Sequence, residues 1–306
     1  MFSVLFPGQG SQSVGMGKKL YEKFDYIKSL FEQADDILRN SISKIIIEGP
    51  KELIDQTENT QPAIFLISYS ICEIIKRETS FNLNKAKFFA GHSLGEYTAL
   101  VCSGSLSLDN AAYLLSERGK SMQDAVPAGE GSMAAILGMK INEIEEEIGL
   151  LPKDATCEIA NDNTNGQVVV SGKSKIVQIL SENLKKKKKK VIFLPVSAPF
   201  HSSLMKKAAV NMKEKIEKAN FEKPNPAIIS NVTAKEETNV NRIKPLLVDQ
   251  ITKRVRWRES VEYMIKEGVT NFLEIGPGKV LSGLVKKINK DVKISNINSI
   301  EDIKND

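Results

Sequence analysis

Apolar residues follow two rhythms along the 306-residue chain. Phe2–Phe6 is a short apolar run closed by Pro7-Gly8-Gln9-Gly10-Ser11-Gln12, the pattern of a buried first strand and a glycine-rich turn. From Tyr21 to Leu38, and again from Thr60 to Thr79, apolar positions recur every three or four residues, which predicts helices with one buried face. Lys87-Phe88-Phe89-Ala90 is a second short strand, Gly91-His92-Ser93-Leu94-Gly95 turns the chain, and Glu96 to Ser103 is the helix it feeds. Near the end, Asn271–Ile275 is a strand closed by Gly276-Pro277-Gly278 and followed by a helix. Strands alternating with helices predict an α/β core around a mostly parallel sheet.

The middle of the chain has a different order. Ser132 to Met139, Thr156 to Ala160, Gln167 to Ser171 and Val191 to Val196 carry strand patterns, with helices at Asn142 to Gly149 and Lys173 to Leu184. The order β-α-β-β-α-β is the split βαβ arrangement of a ferredoxin-like unit. Pro127-Ala128-Gly129 and Pro199 bracket it. The expected organisation is therefore an α/β-hydrolase-like catalytic core from residues 1–125 and 199–306, with a small ferredoxin-like subdomain at 126–198 inserted into it.

Composition narrows the class. With 41% hydrophobic and 26% charged residues, a chain of this length can bury a core without disulfide or metal staples. The apolar run from Ala63 to Ile75 is interrupted by Glu73, and the first ten residues lack the basic start of a signal peptide. Cys72, Cys102 and Cys157 have no metal-binding spacing and read as reduced, buried thiols of a cytoplasmic protein. There are 43 basic against 38 acidic residues, but without the run Lys185 to Lys190 the balance is 37 against 38. That excludes a generally basic, nucleic-acid-type surface. The run itself reads either as a solvated helix end or as a contact for an anionic partner.

Gly91-His92-Ser93-Leu94-Gly95 fits G-x-S-x-G, the nucleophile elbow. By chance a chain of this length carries that pattern roughly one time in ten, so its place between a buried strand and a helix carries the weight. A serine nucleophile needs a base. The only histidines are His92, confined within the turn, and His201, in Ala198-Pro199-Phe200-His201. Scarcity selects His201. No carboxylate stands out as its partner. Gly8-Gln9-Gly10 lacks the third glycine of a dinucleotide fingerprint and Gly276-Pro277-Gly278-Lys279 lacks phosphate-loop spacing, so neither supports a nucleotide cofactor.

These motifs occur in series with Arg118-Gly119, with Asn163 and Gln167-Val168-Val169-Val170-Ser171-Gly172, and with Glu274-Ile275-Gly276-Pro277-Gly278. From Phe2 to about Leu284 the series resembles the malonyl-CoA:acyl carrier protein transacylases of type II fatty acid synthesis, and also the acyltransferase domains of polyketide synthases. The resemblance implies Ser93 as the residue that becomes malonylated and His201 as its base. It implies backbone N–H groups of Gln9 and Leu94 as the oxyanion hole, and the main-chain carbonyl of Gln250 as the group that orients the histidine. Arg118 would hold the free carboxylate of the malonyl group, and Phe200 would crowd a C2 methyl. The family usually has proline before Val-x-Trp, where this chain has Arg254 before Val255-Arg256-Trp257.

Arginine suits the role the resemblance gives it, because its planar fork takes a carboxylate bidentately. Read alone, Arg118 in Ser116-Glu117-Arg118-Gly119-Lys120 is equally an exposed helix charge. The expected reaction is ping-pong transfer of malonyl from malonyl-CoA to the phosphopantetheine thiol of acyl carrier protein. No metal or redox cofactor, nucleic acid or membrane is implied, and a monomer is compatible with it. Lys253, Arg254, Arg256 and the lysine run are candidates for docking an acidic carrier. A serine esterase or thioesterase, and an idle carrier-docking module, are the two rival readings.

Overall fold

The computed structural model describes residues 1–303 apart from Lys153 and Ser197. Among them, the strands are β1 (Phe2–Phe6), β2 (Phe88–Gly91), β3 (Gly131–Leu137), β4 (Cys157–Thr164), β5 (Gln167–Lys173), β6 (Lys190–Phe193), β7 (Ala227–Ile229), β8 (Glu236–Glu237), β9 (Asn271–Ile275) and β10 (Lys293–Ile297). They form two sheets. One is six-stranded in the order β10-β9-β1-β2-β7-β8, and every pairing in it is parallel except β7 with β8. The other has four antiparallel strands in the order β4-β5-β3-β6, with helices Ile141–Gly149 and Ser174–Lys186. The expected mixed α/β architecture is present, with the middle of the chain forming the separate antiparallel sheet.

The parallel sheet is covered on both faces, which is why β1 and β2 read as continuous apolar runs rather than as alternation. Val4 and Phe6 face the larger core, built with the long helix Thr57–Glu78, while Leu5 packs with Phe88, Trp257 and Phe272 on the other side. The register Phe6↔Gly91 and Leu5↔Glu274 brings the carboxyl ends of β1, β2 and β9 to one edge. The loops that follow those strands carry Gln9, Ser93 and Gly276. In open α/β sheets, that edge is where ligand sites form.

Three expectations need correction. Tyr21 to Leu38 is not one helix: Phe24 is extended (φ −120°, ψ 114°), closing helix Lys18–Lys23 and opening Asp25–Leu38. Its carbonyl accepts from Ile27 and Lys28, and Asp25 sits in the new first turn, where the helix dipole favours a carboxylate. The apolar period runs through this break because both helices pack their buried residues, Leu20 in the first and Ile27, Phe31 and Ala34 in the second, into the same core. In the small sheet, β4 runs to Thr164, past the expected end at Ala160, since the polar Asn161, Asp162 and Asn163 are buried. The lysine run is not only a helix end: Lys185 and Lys186 close a helix, Lys188 turns with φ 59°, and Lys190 begins β6.

The small sheet is tied to the core beside the Gly91-to-Gly95 turn. Val255 donates to the Ala160 carbonyl at 2.7 Å and its own carbonyl accepts from Asp162 at 2.9 Å. Arg258 grips the buried Asp162 carboxylate with contacts of 2.8–3.2 Å. All three cysteines are free and buried. Among the described residues, no helix is long and apolar enough to cross a membrane.

Candidate active site

Ser93 has φ 53°, in the left-handed region that a β-carbon disfavours, so its side chain stands out of a sharp turn between β2 and helix Gly95–Cys102. The turn closes only because its flanks are glycine. A β-carbon on Gly91 would lie 1.9 Å from the Gly95 carbonyl, and one on Gly95 would lie 2.3 Å from the Phe6 carbonyl oxygen. Asn231, at the end of β7, secures the turn: its Oδ1 accepts from the Ser93 N–H at 2.7 Å and its Nδ2 donates to the Gly91 carbonyl at 2.7 Å.

His201 meets the serine from 108 residues away. Its Nε2 lies 2.8 Å from Ser93 Oγ, and its Nδ1 lies 2.7 Å from the Gln250 main-chain carbonyl. A carbonyl can only accept, so Nδ1 carries the proton and Nε2 is left to accept from the hydroxyl. His201 is also left-handed, at φ 56°. Burial first, and the Arg118 charge second, push the imidazole down to about 3, so it stays neutral and able to accept a proton far below the ordinary histidine range. His92 points elsewhere: its Nε2 meets Asn163 Oδ1 at 2.9 Å and its ring packs on Trp257.

Arg118 is buried, and Gly119 is the reason it can be. A β-carbon at 119 would lie 2.5 Å from Glu58 Cα, so glycine lets helix Leu108–Gln123 lie directly against helix Thr57–Glu78. The guanidinium then donates to Gln61 Oε1 at 2.7 Å, to Gln250 Oε1 at 2.8 Å and to Ser93 Oγ at 3.1 Å. Among the described residues Arg118 forms no ion pair, and its buried Nε has no hydrogen-bond partner. Burial presses it below its ordinary value, but a guanidinium holds its proton regardless. A full positive charge thus sits among neutral acceptors next to the serine hydroxyl.

These groups open onto a cavity of about 410 Å³ lined by Gln9, His92, Ser93, Leu94, Arg118, Phe200 and His201, with Met133, Asn161 and Leu194 contributed from or beside the small sheet. A larger groove of about 1190 Å³ runs along β10 and contains none of Ser93, His201 or Arg118. Every sequence-predicted site residue therefore converges on one cavity or its wall, Gln250 from behind. Gln61 and Asn231 were not anticipated. Gln61 lies in the polar start Thr57-Glu58-Asn59-Thr60-Gln61 of its helix, and Asn231 follows Ser230 just beyond β7, so neither residue stands out in the sequence.

The chain is similar to known proteins over nearly its whole length. The family model described as an acyl transferase domain matches residues 4–305. A malonyl CoA-acyl carrier protein transacylase of Bacillus subtilis is 45% identical over 301 residues, covering 98% of this chain and 94% of that one. The chain belongs to the malonyl-CoA:acyl carrier protein transacylase family.

Solved members have the same fold. An acyl-carrier-protein S-malonyltransferase from Bartonella henselae superposes with a TM-score of 0.95 at 44% identity, over 99% of this chain and 96% of that one. A malonyl-transacylase solved in complex with a type II PKS acyl-carrier protein superposes at 0.94 with 35% identity, over 98% and 97%. Against the usual family pattern, Arg254 replaces proline, yet helix Val240–Thr252 still delivers the Gln250 carbonyl to His201. Arg254 instead pairs with Glu145 at 3.2 Å and Glu259 at 3.8 Å.

Proposed function

We propose that this chain is an acyl carrier protein S-malonyltransferase supplying malonyl units for fatty acid synthesis, working through a malonyl ester on Ser93. Ser93 Oγ attacks the thioester carbonyl of malonyl-CoA while its proton passes to His201 Nε2. The C–S bond breaks, and His201 returns the proton to the departing CoA thiolate. The phosphopantetheine thiol of acyl carrier protein then reverses the sequence: it gives its proton to His201, forms the new C–S bond, and Oγ leaves with that proton.

The observation that carries this reading is the buried Arg118, which forms no ion pair among the described residues, at 3.1 Å from Ser93 Oγ. A charge held in that state is stabilised by an anion, and its distance from the nucleophile suits an acyl group whose carboxylate lies just beyond the reacting carbonyl. The same carboxylate would offset the Arg118 charge, the second-largest of the causes that hold His201 low, and so make the base stronger when substrate is present. N–H groups of Gln9 and Leu94, on the cavity wall, receive the developing oxyanion. The neutral Gln250 carbonyl, where hydrolases place a carboxylate, leaves His201 less basic and lets the acyl-serine last until a thiol arrives. Phe200 crowds a methyl at C2 of the acyl group.

The catalytic core comprises residues 1–125 and 199–306, and the small subdomain residues 126–198. The protein acts in the cytoplasm. For the carrier, the exposed Lys185, Lys186, Lys188 and Lys190, which form no ion pair among the described residues, are freer than Lys187, which pairs with Glu147, and than Lys253, Arg254 and Arg256, which pair with Asp249, Glu145 and Glu259. Intact-protein mass after brief exposure to malonyl-CoA tests the core of the reading. A malonyl adduct in the wild type, discharged by added carrier thiol and absent in Ser93→Ala, is expected. Adduct retained by Ser93→Ala, or free malonate released as fast without a thiol as with one, would refute it.

A further inference from the structure

One buried carboxylate in the site has no part in the reaction as written. Glu96 lies in the first turn of the helix after Ser93 and is 1% exposed. Its Oε2 accepts from Gln250 Nε2 at 2.7 Å and from the Asn231 N–H at 3.1 Å. Each of these partners reaches the reacting groups. Asn231 holds the Ser93 and Gly91 backbone. Gln250 meets His201 through its main-chain carbonyl and Arg118 through its side-chain Oε1.

The Gln250 amide is where direction is decided. Its Nε2 faces two groups that can only accept, the Glu96 carboxylate at 2.7 Å and the Ser93 carbonyl at 3.1 Å. A flipped amide would set oxygen against both, and its NH2 against a guanidinium that can only donate. Of the two restraints, the Glu96 carboxyl is the closer. Because it fixes Nε2, it also fixes Oε1 on Arg118 NH2, and with Gln61 on NH1 this sets the plane of the guanidinium.

We propose that Glu96 is a positioning residue for acyl selection: through the Gln250 side-chain amide it holds the Arg118 guanidinium in the direction that receives the acyl carboxylate. The inference rests on the malonyl-transfer reading and names the group behind its selectivity. A buried carboxyl is an expensive way to hold a helix turn, since burial pushes Glu96 up to about 7 against its hydrogen bonds and the Arg118 charge. An amphipathic helix start would serve as well if fold were all that was required.

The test is single-turnover acylation by malonyl-CoA and by acetyl-CoA, read by intact-protein mass, in wild type, Glu96→Leu, Glu96→Gln and Gln250→Leu. Loss of the buried Glu96–Gln250 hydrogen bond predicts that Glu96→Leu and Gln250→Leu each lower the malonyl-to-acetyl rate ratio about tenfold. Their combination adds little further, because both cut one relay. Glu96→Gln keeps an acceptor for Gln250 Nε2 and Asn231, and holds the ratio within about threefold of wild type. A folded Glu96→Leu with the wild-type ratio, or with both rates reduced in step, overturns the proposal. Should Glu96→Leu fail to fold by circular dichroism, Gln250→Leu decides, since its main-chain carbonyl still serves His201; an unchanged ratio there is equally contrary. Failure of the wild type to take malonyl at all would instead overturn the reading of the site, so the two failures are distinct.

Discussion

The serine–histidine pair and the guanidinium corner lie within a few ångströms of each other and are held in opposite ways. Ser93 and His201 are fixed mainly by backbone: both have left-handed φ, the turn is closed by two obligatory glycines with the Asn231 side chain bonded to its main chain, and the histidine leans on a main-chain carbonyl. Arg118 is fixed by side chains, the amides of Gln61 and Gln250, with Glu96 behind the second. Strained backbone gives a reacting pair that substitutions elsewhere scarcely move. A relay of side-chain amides gives a recognition element that single substitutions can retune. On the proposed reading, chemistry and selectivity are largely separable in this site, although Arg118 touches Ser93 Oγ and its charge acts on His201.

The largest effect that would break this contrast is His201→Ala, expected to slow acylation by about 10⁴-fold or more for every acyl group, since among the described residues no second base reaches Ser93 Oγ. Equal acylation of that variant, followed by stopped-flow or mass, would assign the proton transfer elsewhere. Next comes Gly91→Ala. Its β-carbon would sit 1.9 Å from the Gly95 backbone, so we expect destabilisation by about 3 kcal/mol or more in denaturant unfolding, together with loss of acylation. A stable, active Gly91→Ala would mean the turn is not rigid.

Phe200→Ala sharpens the selectivity side. Removing the ring should raise methylmalonyl relative to malonyl acylation about tenfold, measured by competition, while leaving the histidine in place. The smallest effect is on pH. Because His201 is held neutral down to about 3, acylation should stay level from pH 8 down to about pH 5 instead of falling near 6.5. In stability the two buried groups oppose each other. His201, pushed down, adds stability as pH rises from 3 to 6.5. Glu96, raised to about 7, removes stability as pH rises from 4.5 to 7. Glu96→Gln should therefore leave a protein whose unfolding midpoint climbs more steeply with pH through that window.

The same division explains what could be read from the amino-acid sequence. The turn was legible because steric demand writes itself locally: a strand-to-helix corner at Ser93 admits only glycine at 91 and 95. His201 was legible by scarcity. The burial of Arg118 was not, since its helix neighbours are polar and the cause lies 60 residues away, where Gly119 meets Glu58; only likeness to a family assigned it a role. Gln61 and Asn231 were silent because they act between elements remote in sequence, Asn231 on Ser93 across 138 residues. The break at Phe24 was hidden for a different reason, the helices on either side of it packing into one core.

The central claim is that an unpaired, buried guanidinium beside the nucleophile chooses the acyl group without performing the transfer. Single-turnover acylation by malonyl-CoA and acetyl-CoA in wild type and Arg118→Ala tests it most directly. The account expects the malonyl rate to fall about 10- to 100-fold, the worth of a charge-assisted contact, while the acetyl rate changes far less. Parallel loss of both rates, with Arg118→Ala folded, would contradict it.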